Sequence, residues 1–250
     1  LKLSLASTKV ASSTAFADDY SVSLDGANDY LGNTSFDRDA IKSEVSVAAW
    51  VKLEAATGND VAVGAQDDAS TFVLRAVSGK MEFRIKHSNN AARFNRDTSS
   101  ITGAGWKHIV GTFKRDGYVK LYVNGSPIGS TAVSDLDLQI TDSDTDNSGT
   151  LQTGVALGVN SPNSINNPFD GNLNDAAIWS TELDADAVSV IYNSGVPTDL
   201  TVDSGDYDNS ASLVGYWKME ENTGTTVVDS SSNSNTMTLT NGAAFSSDTP

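Results

Sequence analysis

Apolar and polar residues alternate with period two along much of this chain. Val45-Ser46-Val47-Ala48-Ala49-Trp50-Val51, Thr71-Phe72-Val73-Leu74-Arg75, Met81-Glu82-Phe83-Arg84-Ile85, His108-Ile109-Val110-Gly111-Thr112-Phe113 and Tyr118-Val119-Lys120-Leu121-Tyr122-Val123 each read as a β-strand. Asn124-Gly125 and Asp116-Gly117 supply tight hairpin turns, because these residues tolerate positive φ. Strands at close spacing, punctuated by Gly, Asn and Asp, predict a sandwich or barrel. A single stretch has helical character: Asp184 to Tyr192 opens on acidic residues and stops at Asn193-Ser194-Gly195, ahead of Pro197.

Two polar segments interrupt the alternation. Thr141 to Gly149 is an acidic loop, and residues 193–212 form a linker rich in Ser, Asp, Gly and Asn. Extended at about 3.3–3.6 Å per residue, that linker reaches about 65–70 Å. Alternation then resumes at Leu213-Val214-Gly215-Tyr216-Trp217. The expected organisation is an N-terminal arm (1–19) and one sandwich (20–250), with the linker at 193–212 and closing strands at 213–245.

Composition narrows the chemistry. The 250 residues carry 16 basic and 32 acidic side chains, a formal charge of −16. That argues against nucleic-acid phosphates and anionic membrane surfaces as partners. Without cysteine, neither disulfide staples nor thiolate chemistry is available. No apolar run approaches the roughly 18 residues of a membrane span, so membrane insertion is not expected. Ala15-Phe16-Ala17 imitates a signal-cleavage spacing, but Lys9 and the surrounding Ser and Thr break the apolar run a signal needs. The arm is expected to be ordered and part of the mature protein.

Several segments, in order, resemble a laminin-G-like, pentraxin-like jelly roll of concanavalin A type. They are Ser23 to Leu31, Val47 to Lys52, Trp106 to Phe113, Val119 to Gly125 and Phe169 to Trp179. The resemblance runs from about Tyr20 to Phe245. Leu213 to Thr225, with Asp229 to Asn235, resembles the opening of such a domain yet stands at the end. Either the domain is circularly permuted or these strands close a neighbouring copy. The last residues, Ala244 to Pro250, are similar to structural proteins of marine bacteriophages. The resemblance implies an all-β, two-sheet antiparallel sandwich with one short helix, a fold that binds glycans or proteins, frequently with calcium.

Candidate sites follow. Calcium takes six to eight oxygens. By resemblance Asp175, Asp229 and Asn235 are the expected calcium ligands; the alternative is a turn held by side-chain hydrogen bonds alone. Asp142, Asp144 and Asp146 have the start of an EF-hand spacing, but Asn147 and Thr153 replace its Gly and Glu, which favours a solvated loop. Glycoside hydrolysis needs two carboxyls about 5–10 Å apart. Glu220-Glu221 would point to opposite faces of a strand, and Asp37 and Asp39 flank Arg38 in a turn-like stretch, so no catalytic pair is expected. His87 and His108 read as surface or packed residues. Trp50, Trp106, Trp179 and Trp217 read as core, leaving Tyr20, Tyr30 and Tyr207 as freer candidates for a sugar platform.

The expected function is non-enzymatic: a decoration or lattice protein on a virion or other extracellular surface, whose partners are copies of itself or other capsid and surface proteins. The alternative is a calcium-dependent carbohydrate-binding module or adhesin.

Overall fold

The structure is a computed structural model that describes residues 16–41, 43–66, 70–87, 92–133 and 154–250. Its strands are β1 (Ser21–Asp25), β2 (Tyr30–Asn33), β3 (Glu44–Ala55), β4 (Asn59–Gln66), β5 (Ser70–Val77), β6 (Lys80–His87), β7 (Arg93–Arg96) and β8 (Lys107–Lys114). They continue as β9 (Tyr118–Val123), β10 (Ser126–Ala132), β11 (Val155–Leu157), β12 (Asp170–Trp179), β13 (Leu213–Trp217), β14 (Thr226–Val227), β15 (Met237–Thr240) and β16 (Ala244–Ser246). The only α-helix among the described residues is α1 (Ala185–Tyr192).

Two antiparallel sheets form the sandwich. The first runs β10-β9-β8-β3-β12-β1-β16, with β13 also on β12; the second runs β14-β15-β2-β11-β4-β5-β6-β7. Their inner faces share one apolar core, built from alternate residues such as Val45, Val47 and Val51 of β3, Phe72 and Leu74 of β5, and Phe83 and Ile85 of β6. Fully burying a large apolar side chain contributes roughly 1.5–3 kcal/mol, so this alternation alone fixes which way each strand faces.

A second core lies on the outer face of the first sheet. Ala187, Val188 and Ile191 of α1 pack with Ala48, Val110, Trp179, Leu200, Tyr207 and Tyr216. Asp184 caps the helix by accepting from the Ala187 amide, and Asn193 ends it in the left-handed region. The segment expected to be a free polar linker is part of this packing: Leu200 and Tyr207 within it are buried. Its polar composition describes its outer side; two apolar anchors decide its path.

The closing strands pair within their own chain. Ala177 lies opposite Tyr216, Leu31 opposite Leu239 and Val22 opposite Phe245. Trp217 is fully buried, its ring 6.3 Å from that of Phe36.

Candidate functional site

β1 and β13 share one edge of β12, end to end: residues 170–173 pair with β1 and residues 176–179 with β13. At the junction β12 slips register against β3 between Asn174 and Ala177, and Asp175 takes φ +44°. Bulges of this kind re-aim side chains. Asp175 is 4% exposed; its Oδ1 accepts from the Tyr216 hydroxyl at 2.7 Å, while Oδ2 has no hydrogen-bond partner among the described residues. Burial pushes the Asp175 carboxyl well above the usual range. Beside it, Asp18 accepts from the Asn174 amide, and burial, with smaller effects from Glu220 and Asp19, pushes its pKa up to about 6. Glu220 accepts from the Asp19 and Tyr20 amides, and Lys218 bridges to Asp199 at 3.1 Å with its ammonium 5.0 Å from the Phe16 ring centre.

Asp229 and Asn235 serve a different purpose. Asp229 Oδ1 accepts from the amides of Tyr216 and Ser231, each at 2.8 Å. Its Oδ2 accepts from the Ser231 hydroxyl at 2.8 Å and the Asn235 amide at 2.7 Å. Asn235 donates its side-chain amide to the Val214 carbonyl, and its own carbonyl accepts from Trp217 Nε1. The loop is thus a hydrogen-bonded clamp on β13. Asp175 binds the hydroxyl end of Tyr216 and Asp229 its backbone end, so the structure does not gather the three expected calcium ligands. With both Asp229 oxygens doubly engaged, that donor set does not fit a cation. Among the described residues no group of three His, Asp or Glu side chains is placed to hold a metal. The acidic 141–149 loop lies outside the described residues.

The other candidates are placed as follows. His108 is buried between Trp50 and Tyr192, with ring centres 5.0 and 6.1 Å away, and burial lowers its pKa to about 3. It is neutral and packed. Tyr207 is no platform: it is 2% exposed, accepts from Trp179 Nε1 and donates to the Leu200 carbonyl. Tyr20 and Tyr30 are half-buried. Trp106 is not simply core either; its Nε1 donates to Asp248, which also pairs with Lys52. Glu221 accepts from the Val228 amide, away from Glu220's partners. The side chains of Asp39 and His87 lie outside the described residues.

α1 and the C-terminal tail lie across the outer face of the first sheet; the outer face of the second carries neither. One register row crosses it: Thr238, Gly32, Ala156, Gly64, Val73, Arg84, Phe94. Half of this row is small because a loop crosses it. A Cβ on Gly64 would meet the Asn160 and Val159 carbonyls at 2.4 and 2.5 Å, and one on Gly32 would meet Tyr30 and Pro162. Beyond that loop the row continues into half-buried Arg84 and Phe94, whose exposure is 44%. The next row pairs Arg75, Glu82 and Arg96. Glu82, fully buried, receives Nε and Nη2 of Arg75 on Oε1 and those of Arg96 on Oε2. Removing either arginine would leave a buried charge half-paired, which is costly. None of these residues stood out in the sequence, although Arg84 and Glu82 alternate visibly with Phe83 and Ile85.

Comparison with known proteins completes the picture. Residues 25–189 match the family model of the concanavalin A-like lectin/glucanases superfamily. Among solved structures, a Bacteroides ovatus protein described as carbohydrate-binding superposes with TM-score 0.65 at 14% identity, over 92% of this chain. This chain spans only 60% of that protein's length. The heptameric SAP-like pentraxin of Limulus polyphemus superposes with TM-score 0.59 at 16% identity, over 91% of this chain and 94% of its own. A search of curated protein sequences returns no match. Two stacked antiparallel sheets, a helix on one outer face and a family match over most of the chain lead to one conclusion: the protein belongs to the concanavalin A-like lectin/glucanases superfamily, as a laminin-G-like jelly roll.

Proposed function

We propose that this domain binds carbohydrate without cleaving it, on the outer face of the second sheet. The observation that carries this reading is the division of the two outer faces. The first is occupied by α1 and by the tail anchored through Asp248. The second presents an exposed aromatic, half-buried guanidinium and an asparagine-rich loop through Asn160, Asn163, Asn166 and Asn167. Aromatic surface beside fixed polar groups is the usual chemistry of a ligand cleft. The Bacteroides ovatus relative is named for the same activity.

Hydrolysis has less support. Asp18, Asp175 and Glu220 lie near one another, but on the covered face, and Asp18 and Glu220 are engaged in hydrogen bonds that hold the strand junction. The lattice role expected from sequence also has less support, since the strands that would be donated to a neighbour complete their own sheets. A glycan-binding module works at an extracellular surface, a virion's included, and its partners are the glycans it meets there.

A glycan array with the purified chain tests the reading, run in calcium and in EDTA. Retention of at least one glycan class, weakened by Phe94→Ala, is expected. The EDTA arm reports whether a cation assists, with the Asp229 clamp contributing none. Failure to retain any glycan refutes the proposal; retention untouched by Phe94→Ala moves the site elsewhere.

A further inference from the structure

We infer that the ligand of this face is an acidic glycan, and that Arg84 receives its carboxylate or sulfate. This rests on the carbohydrate reading above and goes further by naming the ligand's charge. Three guanidinium groups, of Arg75, Arg84 and Arg96, stand on adjacent rows of the second sheet's outer face around a single carboxylate, Glu82. Such a concentration of positive charge is unexpected in a chain of net charge −16.

The three arginines are not equivalent. Arg75 and Arg96 are engaged with Glu82. Arg84 is two residues from Glu82 on the same strand and face, flanked across strands by Val73 and Phe94. No described residue makes a hydrogen bond or ion pair with it. Burial and the nearby Arg75 charge both weaken its hold on its proton, with Glu82 a smaller opposing influence. Arginine cannot escape an unfavourable site by deprotonating at physiological pH. A half-desolvated guanidinium without a partner is therefore preorganised for an anion. Its planar fork suits a carboxylate or sulfate bidentately, and such charge-assisted pairs are stronger than neutral ones.

The neighbouring aromatic supplies the sugar contact. Phe94 is 44% exposed directly opposite Arg84, and its ring is steadied by the Arg96 guanidinium 5.3 Å from its centre. A pyranose lying along Phe94 would bring an equatorial acidic substituent within reach of Arg84. The protein's remote acidic groups oppose an anionic ligand only weakly, because at physiological ionic strength charges act over about 8 Å. A direct pair at Arg84 is screened far less.

The test uses polygalacturonate oligomers as the uronate probe, chondroitin sulfate oligomers as the sulfate probe and dextran oligomers as the neutral control, titrated into the full chain. Wild-type protein is expected to bind one or both acidic probes more tightly than the neutral one. Arg84→Gln is expected to weaken that binding tenfold or more, from the loss of a charge-assisted hydrogen bond, while leaving Tm unchanged. Arg84→Lys, which keeps charge and loses the fork, is expected to fall between. Equal affinity for neutral and acidic probes overturns the inference and leaves the carbohydrate reading standing, as does acidic-probe binding indifferent to Arg84→Gln. No binding to any probe, together with an empty glycan array, overturns both.

Discussion

The Asp229 clamp gives the sharpest test of how the closing strands are held. Asp229→Ala removes four acceptor interactions at once, to the amides of Tyr216, Ser231 and Asn235 and the Ser231 hydroxyl. The groups on Ser231 and Asn235 lie in a half-buried loop, where water replaces the lost partner at about 1 kcal/mol each. The Tyr216 amide belongs to a residue with no exposure, and stranding it costs about 1–3 kcal/mol. The expected loss is about 4–6 kcal/mol. In a chain of this size each kcal/mol moves Tm by about 2–4 °C, so Tm falls by about 8–24 °C. Asp229→Asn keeps one carbonyl but turns an amide donor toward the Asn235 and Ser231 donors, and about half the loss is expected. Urea unfolding followed by tryptophan fluorescence, which reports on Trp217, measures both variants, in calcium and in EDTA. A loss under about 1 kcal/mol refutes the clamp. So does a loss seen only in calcium, because that result would make the loop a metal site.

Two further outcomes follow from the same core. Asp175 and Asp18 both have raised native pKa values, so below neutrality the folded state binds more protons than the unfolded one. Their contribution to stability therefore rises as pH falls from 7 toward the usual carboxylate pKa, and is lost as pH rises through the raised values. His108 acts in the opposite sense, since the fold keeps it neutral. Asp175→Asn, whose amide can still accept from Tyr216, is accordingly expected to be more stable than wild type at pH 7, with the gain shrinking by pH 5 in urea midpoints; a gain that grows on acidification contradicts this sign. Gly171 sits at φ +141° with an added Cβ 2.0 Å from the Lys52 carbonyl, so Gly171→Ala should cost about 3 kcal/mol or more. A Tm within about 2 °C of wild type would show that β3 and β12 can separate there without penalty.

Much of the scaffold could be read from local pattern. The predicted Asn124-Gly125 turn has φ +50° and +73°, and the helix falls within the predicted 184–192 stretch, at Ala185–Tyr192. β4 escaped notice for a physical reason: Val61, Ala62 and Val63 are all fully buried, because the register slips there and a loop covers the outer face, so no alternation survives. The sites were less legible. Asp229 and Asn235 offer the same oxygens whether they hold a cation or a turn, and only their partners tell the two apart. Asp175 was expected as a calcium ligand; its observed neighbours are Asp18, from the other end of the sequence, and Glu220, beyond the polar segment, so no local pattern joins the three. Arg84 looks like any outward strand residue until three strands are placed in register and no described residue is found to pair with it.

The pairing of β1 with β16 has a mechanical consequence. Ser21 lies opposite Ser246, so the backbone enters and leaves the sandwich at one corner. Tension between flanking segments would load this ladder one bond at a time, from Ser21 inward, once the Asp248 contacts to Lys52 and Trp106 gave way. Strands pulled in that geometry peel; they do not shear. With both flanks leaving from that corner, the ladder suits attachment from one side rather than service as a link in a chain under load.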